Sequence, residues 1–175
     1  MIEFEIKKAI RNIPDFPKKG IDFKDITPIL LDAELCNNIL NEFVERLKGQ
    51  KFDYLCAIES RGFFFGTLLA NKLQIPFVPI RKEGKLPGDT ARFHYDLEYG
   101  SATIEIHKDV IRKGANILLH DDLLATGGTA YAASELIKSL GANVGAVSFL
   151  VNLSFLDGKK KLEGITNNIF YLAEY

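Results

Sequence analysis

Asp121 and Asp122 follow the apolar run Ile117-Leu118-Leu119, separated from it by His120 alone. They lead into Leu123-Leu124-Ala125-Thr126-Gly127-Gly128-Thr129. Two adjacent carboxylates repel a phosphate but suit the neutral hydroxyls of a sugar, or a metal ion. What comes after them suits a phosphate. Gly127 and Gly128 allow positive φ and close approach of backbone N–H groups. Thr126 and Thr129 supply hydroxyl donors, and a helix opening there adds its partial positive end. Carboxylates, then small residues, then hydroxyls therefore read as a ribose 5-phosphate site, with the diol at one end and the phosphate on Ala125 to Thr129 at the other. Neither G-x-x-x-x-G-K-[ST] nor G-x-G-x-x-G occurs, so neither a P-loop NTPase nor a dinucleotide-binding domain is supported.

Positive charge is placed at two further points. Ser60-Arg61-Gly62 follows the apolar run Tyr54 to Ile58, and Arg81-Lys82 follows Phe77 to Ile80, with Lys85 shortly beyond. In an open parallel sheet, ligands bind beyond the carboxyl ends of the strands, so these cations converge on one rim with the two carboxylates.

The elements that must position these groups are readable from periodicity. Ile6, Ala9, Ile10 and Ile13 recur at helical spacing, ending at Pro14. Leu35, Ile39, Leu40, Phe43, Val44 and Leu47 predict an amphipathic helix opened near Asp32 and closed by Gly49. From there strand, loop and helix alternate. Strands fall at Tyr54–Ile58, Phe77–Ile80, Ile117–Leu119 and Val144–Val151, and helices at Phe63–Leu73 and about Thr129–Leu140. Short continuous apolar strands between helices predict a mostly parallel sheet covered on both faces. Arg81 to Asp96 breaks the rhythm: polar, with few apolar anchors, it reads as a long loop acting as a lid. Beyond it, alternation around Gly100-Ser101 predicts a hairpin.

The 175 residues suffice for one domain with a sizeable core. Lys and Arg total 22 against 23 Asp and Glu, so there is no overall positive field to draw nucleic acid or an anionic membrane. Cys36 and Cys56 sit in apolar company without paired spacing and read as reduced thiols. Neither a signal peptide nor a membrane-spanning apolar run is evident, which points to the cytoplasm.

Asp121 to Thr129 resembles the phosphoribosyl pyrophosphate signature of the type I phosphoribosyltransferases. Further matches follow in order: Asp15-Phe16-Pro17, Phe23 to Pro28, Ser60 to Phe63, Arg81-Lys82 with Gly84 to Pro87, and Leu97-Glu98-Tyr99-Gly100. The paired leucines after the aspartates, Gly84-Lys85-Leu86-Pro87 and Leu97 to Gly100 are similar to the adenine-using members. The resemblance implies that family's α/β fold: a mostly parallel central sheet with flanking helices, a small N-terminal hood (about residues 1–34) and a mobile lid loop with hairpin (about 84–107), all in one domain. It implies the transfer of phosphoribosyl from phosphoribosyl pyrophosphate to adenine, giving AMP and pyrophosphate in purine salvage. Mg²⁺ would be held mainly by the substrate's pyrophosphate, and the chain would form a homodimer.

Residue by residue, the resemblance gives Ser60, Arg61, Arg81, Lys82, Lys85 and Tyr99 to the pyrophosphate, Glu98 to the N9 proton of the base, and a cis peptide to Glu59–Ser60. Phe23 would stack on the base with Leu123 opposite, while backbone groups near Asp22 and Lys24 read its edge. Two positions depart from the pattern. Lys24 stands where these enzymes commonly carry Arg and lacks the planar fork, and His120 replaces an aliphatic residue and reads as a packed histidine. The alternatives left open are a phosphoribosyltransferase for another purine base and a regulatory protein that senses phosphoribosyl pyrophosphate on the same fold.

Overall fold

The computed structural model describes residues 1–96 and 100–175. Helix α1 (Ile2–Ala9) leads into strands β1 (Arg11–Pro14) and β2 (Asp22–Asp25), which pair antiparallel as a separate two-stranded sheet. The helical reading through Ile13 does not hold. The residue before a proline is driven to extended backbone, and Ile13 precedes Pro14, so the helix stops at Ala9 and Ile13 pairs with Phe23 across the hairpin. Helix α2 (Ala33–Arg46) starts where expected, its first turn capped by Asp32, whose side chain accepts the Leu35 N–H at 2.9 Å.

The main sheet has seven strands in the order β5-β6-β4-β3-β7-β8-β9. Strands β3 (Tyr54–Ile58), β4 (Phe77–Lys82), β7 (Asn116–Leu124), β8 (Asn143–Asn152) and β9 (Ile169–Glu174) form its parallel part. The hairpin of β5 (Thr90–Asp96) and β6 (Ser101–His107) adds on antiparallel beside β4. From β3 the chain crosses through α3 (Gly62–Leu73) to β4 on one side. From β7 it crosses through α4 (Gly128–Ser139) to β8 on the other. The switch point therefore lies between β3 and β7, and a crevice opens beyond their carboxyl ends.

Each parallel strand is apolar on both faces because each face is covered. Leu55, Ala57 and Leu118 pack with α2 and α3, while Cys56, Ile58, Ile117 and Leu119 pack with α4. Helix α3 comes close to the sheet because it carries Gly66, where a Cβ would stand 2.7 Å from the Ala57 Cβ.

The reading of Arg81–Asp96 as one loop with few apolar anchors is corrected. Its first two residues end β4, and Thr90–Asp96 is β5. Ala91, Phe93 and Tyr95 share one face of β5 and pack on the core under α4, while Arg92, His94 and Asp96 face away. That alternation is strand chemistry hidden behind polar residues. Strand β9 and the short helix α5 (Gly158–Leu162) were not anticipated.

Asp25 fixes the base of the β1–β2 hairpin. It accepts from Thr27 N–H at 2.9 Å, Thr27 Oγ1 at 2.7 Å, and Arg11 Nε and Nη2 at 3.1 and 2.7 Å. These donors, the Thr27 amide foremost, hold its carboxyl near about 2 against an ordinary 3.8. A depressed carboxylate stabilises the fold fully above its unfolded value and loses that contribution as pH falls through the folded one. Asp25→Asn should therefore lower the urea midpoint most at neutral pH, with the gap to wild type closing as pH falls from 3.8 toward about 2. A gap that does not depend on pH would contradict this assignment.

Candidate active site

Strand β7 runs through Asp121 and Asp122 to Leu124, so the two carboxylates lie within the strand near its end rather than in the loop beyond it. Asp121 Oδ1 accepts the Asp122 N–H at 2.8 Å. Burial pushes both carboxyls above the ordinary carboxylate range. For Asp121 the neighbouring Asp122 charge adds to this, and for Asp122 the Arg61 guanidinium opposes it. Arg61 Nε lies 3.0 Å from Asp122 Oδ2, which accepts no hydrogen bond among the described residues. Gly62, the first residue of α3, makes this approach possible, since a Cβ there would meet Asp121 Oδ1 at 2.8 Å.

After Leu124 the chain turns through Ala125, Thr126 and Gly127 into α4. Gly127 is the helix N-cap at φ +76°, the left-handed region that glycine enters at no steric cost. No side chain caps this helix, so its first N–H groups remain available to a ligand. Thr129 Oγ1 accepts from Tyr95 Oη at 3.3 Å, tying β5 to the loop.

A cleft of about 710 Å³ opens over these groups. Ser60, Arg61, Arg81, Lys82, Asp121, Asp122, Leu123 and Thr129 line it, joined by Tyr95 and Ser101 to Ile104 of the hairpin. A recess of about 80 Å³ at Leu123 to Ala130 shares Asp121, Leu123 and Thr129 with it. Ala125, Thr126, Gly127 and Gly128 all border that recess.

The cations are not equally free. Glu59 accepts from Arg81 Nη2 at 2.9 Å and Nε at 3.2 Å, and from the Lys82 N–H at 3.1 Å. The Arg81 bonds hold the Glu59 carboxyl below its ordinary range. Arg61 keeps a buried Nη1 with no hydrogen-bond partner among the described residues. Lys85 lies outside the cleft lining, and its carbonyl accepts Arg81 Nη1 at 3.0 Å. The Glu59–Ser60 peptide is cis, as the resemblance implies.

Asp22, Phe23 and Lys24 do not line the main cleft but meet it through Arg61, whose guanidinium carbon stands 4.9 Å from the Phe23 ring centroid. Phe16 packs its ring edge-on to Phe23 at 5.1 Å. The Lys24 ammonium is turned inward. It donates to Asn12 Oδ1 at 2.8 Å and Asp22 Oδ2 at 2.7 Å, and sits 4.5 Å from the Tyr175 ring centroid. His120 is packed as expected. Its Nδ1 lies 2.9 Å from Ser148 Oγ, its ring meets Phe43 edge-on, and burial pushes its pKa down to about 3. Glu98 and Tyr99 lie outside the described residues.

Glu105 is a residue that the sequence did not single out. It is fully buried, yet it accepts the Lys85 and Leu86 N–H groups at 2.9 Å each and Thr90 Oγ1 at 3.2 Å. Burial pushes its carboxyl up, and these donors outweigh that and hold it below the ordinary range. It thereby organises the loop between β4 and β5. An isolated Glu on an alternating strand carries no sequence signal of such a role.

Fold and site together place a small-residue loop and an uncapped helix N-terminus, next to two carboxylates, at the switch point of a parallel sheet. The chain belongs to the phosphoribosyltransferases: the phosphoribosyl transferase domain family matches residues 24–167. Within that class its relatives are adenine phosphoribosyltransferases. The one from Thermoanaerobacter pseudethanolicus is 54% identical over 160 residues, covering 91% of this chain and 92% of the relative. The Saccharomyces cerevisiae enzyme, crystallised with D-2,5-dideoxy-2,5-imino-altritol 1,6-bisphosphate and adenine, superposes with a TM-score of 0.91 at 41% identity and 98% coverage of both chains. The Trypanosoma brucei enzyme, in complex with AMP, pyrophosphate and ribose-5-phosphate, gives a TM-score of 0.89 at 27% identity, covering 99% of this chain and 79% of that one.

The loop geometry predicts the outcome of one substitution. In Gly127→Val a β-branched side chain would be forced to φ +76° and would overlap the Gly158 carbonyl oxygen. Such strain costs about 1–3 kcal/mol, so the denaturation midpoint should fall and calorimetric binding of ribose 5-phosphate should be lost. Wild-type binding by this variant would show that the loop does not hold the phosphate.

Proposed function

We propose that this chain transfers the 5-phosphoribosyl group from phosphoribosyl pyrophosphate to N9 of adenine, giving AMP and pyrophosphate. The observation that carries this reading is the run from Asp121 to Thr129, where two part-desolvated carboxylates pass within a few residues into an uncapped helix N-terminus at the sheet's switch point. The adenine and nucleotide ligands of the yeast and trypanosome relatives support the choice of substrates.

In this reading Ala125 to Thr129 grip the 5-phosphate while Asp121 and Asp122 hold the ribose diol. With both ends of the sugar fixed, its anomeric carbon is placed between base and leaving group. Ser60, Arg61, Lys82, Lys85 and Tyr99 serve the pyrophosphate, Arg61 by turning out its buried, unpartnered Nη1. Arg81 contributes less charge than its type suggests, because Glu59 pairs with it. The base-binding groups are Asp22, Phe23, Lys24 and Leu123. Strand β2 belongs to a two-stranded sheet and has an unpaired edge, so its backbone donors and acceptors can read the adenine edge.

The bond from C1′ to the pyrophosphate oxygen breaks as N9 attacks, and the N9 proton passes to Glu98. Positive charge develops on the sugar in between, so water must be kept away. The β5–β6 hairpin, which already walls the cleft with Tyr95 and Ser101 to Ile104, serves as that lid. Mg²⁺ would ride on the pyrophosphate oxygens and neutralise them. Asp122 Oδ2, which pairs with Arg61 at 3.0 Å and accepts no hydrogen bond among the described residues, would face such a cation once Arg61 moves onto the pyrophosphate. The same reading makes the protein a cytoplasmic homodimer. Phe64 and Leu68, exposed one turn apart on α3, offer apolar surface for the contact.

Two measurements test the proposal. Adenine-dependent AMP formation from phosphoribosyl pyrophosphate should require Mg²⁺ and should fail with guanine, hypoxanthine, xanthine and orotate; equal turnover of another base would overturn the assignment. Glu98→Gln should lower turnover by about 10²–10⁴-fold, the usual loss for a positioned base, with phosphoribosyl pyrophosphate binding little changed by calorimetry. Turnover within a few-fold of wild type would remove Glu98 from proton transfer, and loss of binding along with turnover would make it a structural residue.

A further inference from the structure

Helix α5 carries a cation to the phosphate loop. Gly158, at its start, is pressed against that loop. A Cβ on Gly158 would overlap the Ala125 carbonyl oxygen and lie 2.8 Å from the Gly127 nitrogen, and a Cβ on Gly127 would overlap the Gly158 carbonyl. Leu162, at the other end of the helix, is fully buried in the core under α4. Both ends of this short helix are therefore fixed, and the backbone of Lys161 with them.

The Lys161 ammonium lies 3.9 Å from the point a Cβ on Gly128 would occupy, and Thr126 Oγ1 lies 3.8 Å from the same point. The side chain is exposed and makes no hydrogen bond or ion pair among the described residues. Its neighbour Lys160, by contrast, is paired with Asp157 at 2.9 Å.

We infer that Lys161 is a phosphate-binding residue whose ammonium contacts the 5-phosphate of the phosphoribosyl substrate and of the nucleotide product. The inference rests on the reading of Ala125 to Thr129 as the 5-phosphate site. The loop's own donors are backbone N–H groups and hydroxyls. They satisfy phosphate oxygens but bring no full positive charge to a dianion, and Asp121 borders the same recess with the opposite effect. Lys161 supplies the missing charge, close enough to reach an oxygen through a small change of its side-chain torsions. The sequence conceals this role, since Lys159-Lys160-Lys161 reads as a solvated charge run.

AMP and adenosine differ only in the 5-phosphate, so their binding by calorimetry isolates the contact. Lys161→Met should weaken AMP binding about 10–100-fold, the range for a lost hydrogen bond to a charged group. Adenosine and pyrophosphate binding should be unchanged. Lys161→Arg should restore most of the AMP affinity, and Lys159→Met, the control on the same helix, should have little effect. The inference is overturned if Lys161→Met keeps the wild-type preference for AMP over adenosine. It is equally overturned if AMP, adenosine and pyrophosphate all weaken together. If the wild-type protein itself binds AMP no more tightly than adenosine, the phosphate-loop reading fails and the inference falls with it.

Discussion

Two carboxylates in succession on a buried strand are costly, and the site is organised around them. Asp122 is almost wholly buried, and desolvation pushes both groups up toward their neutral forms. Arg61 from the neighbouring strand end is the counter-charge, and it reaches Asp122 because residue 62 has no side chain to hold the two loops apart. The pair thus ties the loop after β3 to the end of β7 across the switch point. A polyhydroxy ligand would relieve the same strain in another way, by donating hydrogen bonds to carboxylates that the protein leaves under-satisfied.

The rest of the charge layout follows a similar economy. Arg81 is spent on Glu59, and the buried Glu105 gathers backbone donors of the β4–β5 loop, so several charges hold loops in place rather than face the cleft. Among the described residues, what the site leaves unpaired is narrower than a count of basic residues suggests: the Lys82 side chain in the cleft, Lys161 at the far end, and one Arg61 nitrogen that is unpartnered but buried. The free donors therefore sit at two ends of a trough, one by Ser60 and Arg61 and the other by Thr126 to Thr129, with the carboxylates between them. On the proposed reading, that order suits a sugar carrying phosphate at one end and pyrophosphate at the other.

Where the chain folds by local rules, the sequence is a good guide. The strands of the parallel core are unbroken apolar runs bounded by turns, and the loop from Ala125 to Thr129 shows in its small residues, with Gly127 at φ +76° against the Gly158 backbone. The losses have physical reasons. Strand β1 is short and mostly exposed, so only pairing with β2 defines it. Strand β5 hides its apolar face, Ala91, Phe93 and Tyr95, behind polar neighbours. Gly158 and Glu105 take their meaning from contacts with residues distant along the chain, which no local pattern reports. Lys24 is half legible: its lost fork is visible in the sequence, but its inward turn onto Asn12, Asp22 and the Tyr175 ring is not.

The central claim is that one ligand spans the carboxylate pair and the helix N-terminus with its sugar between them. A crystal structure of the protein with AMP tests it most directly. The account predicts ribose hydroxyls on Asp121 and Asp122, the 5-phosphate on the N–H groups of Thr126 to Thr129, and adenine against Phe23 and the free edge of β2, with Arg61 displaced from the Phe23 face. An AMP bound with its phosphate beside Ser60 and Arg61 and its base over the Ala125 to Thr129 loop would contradict it.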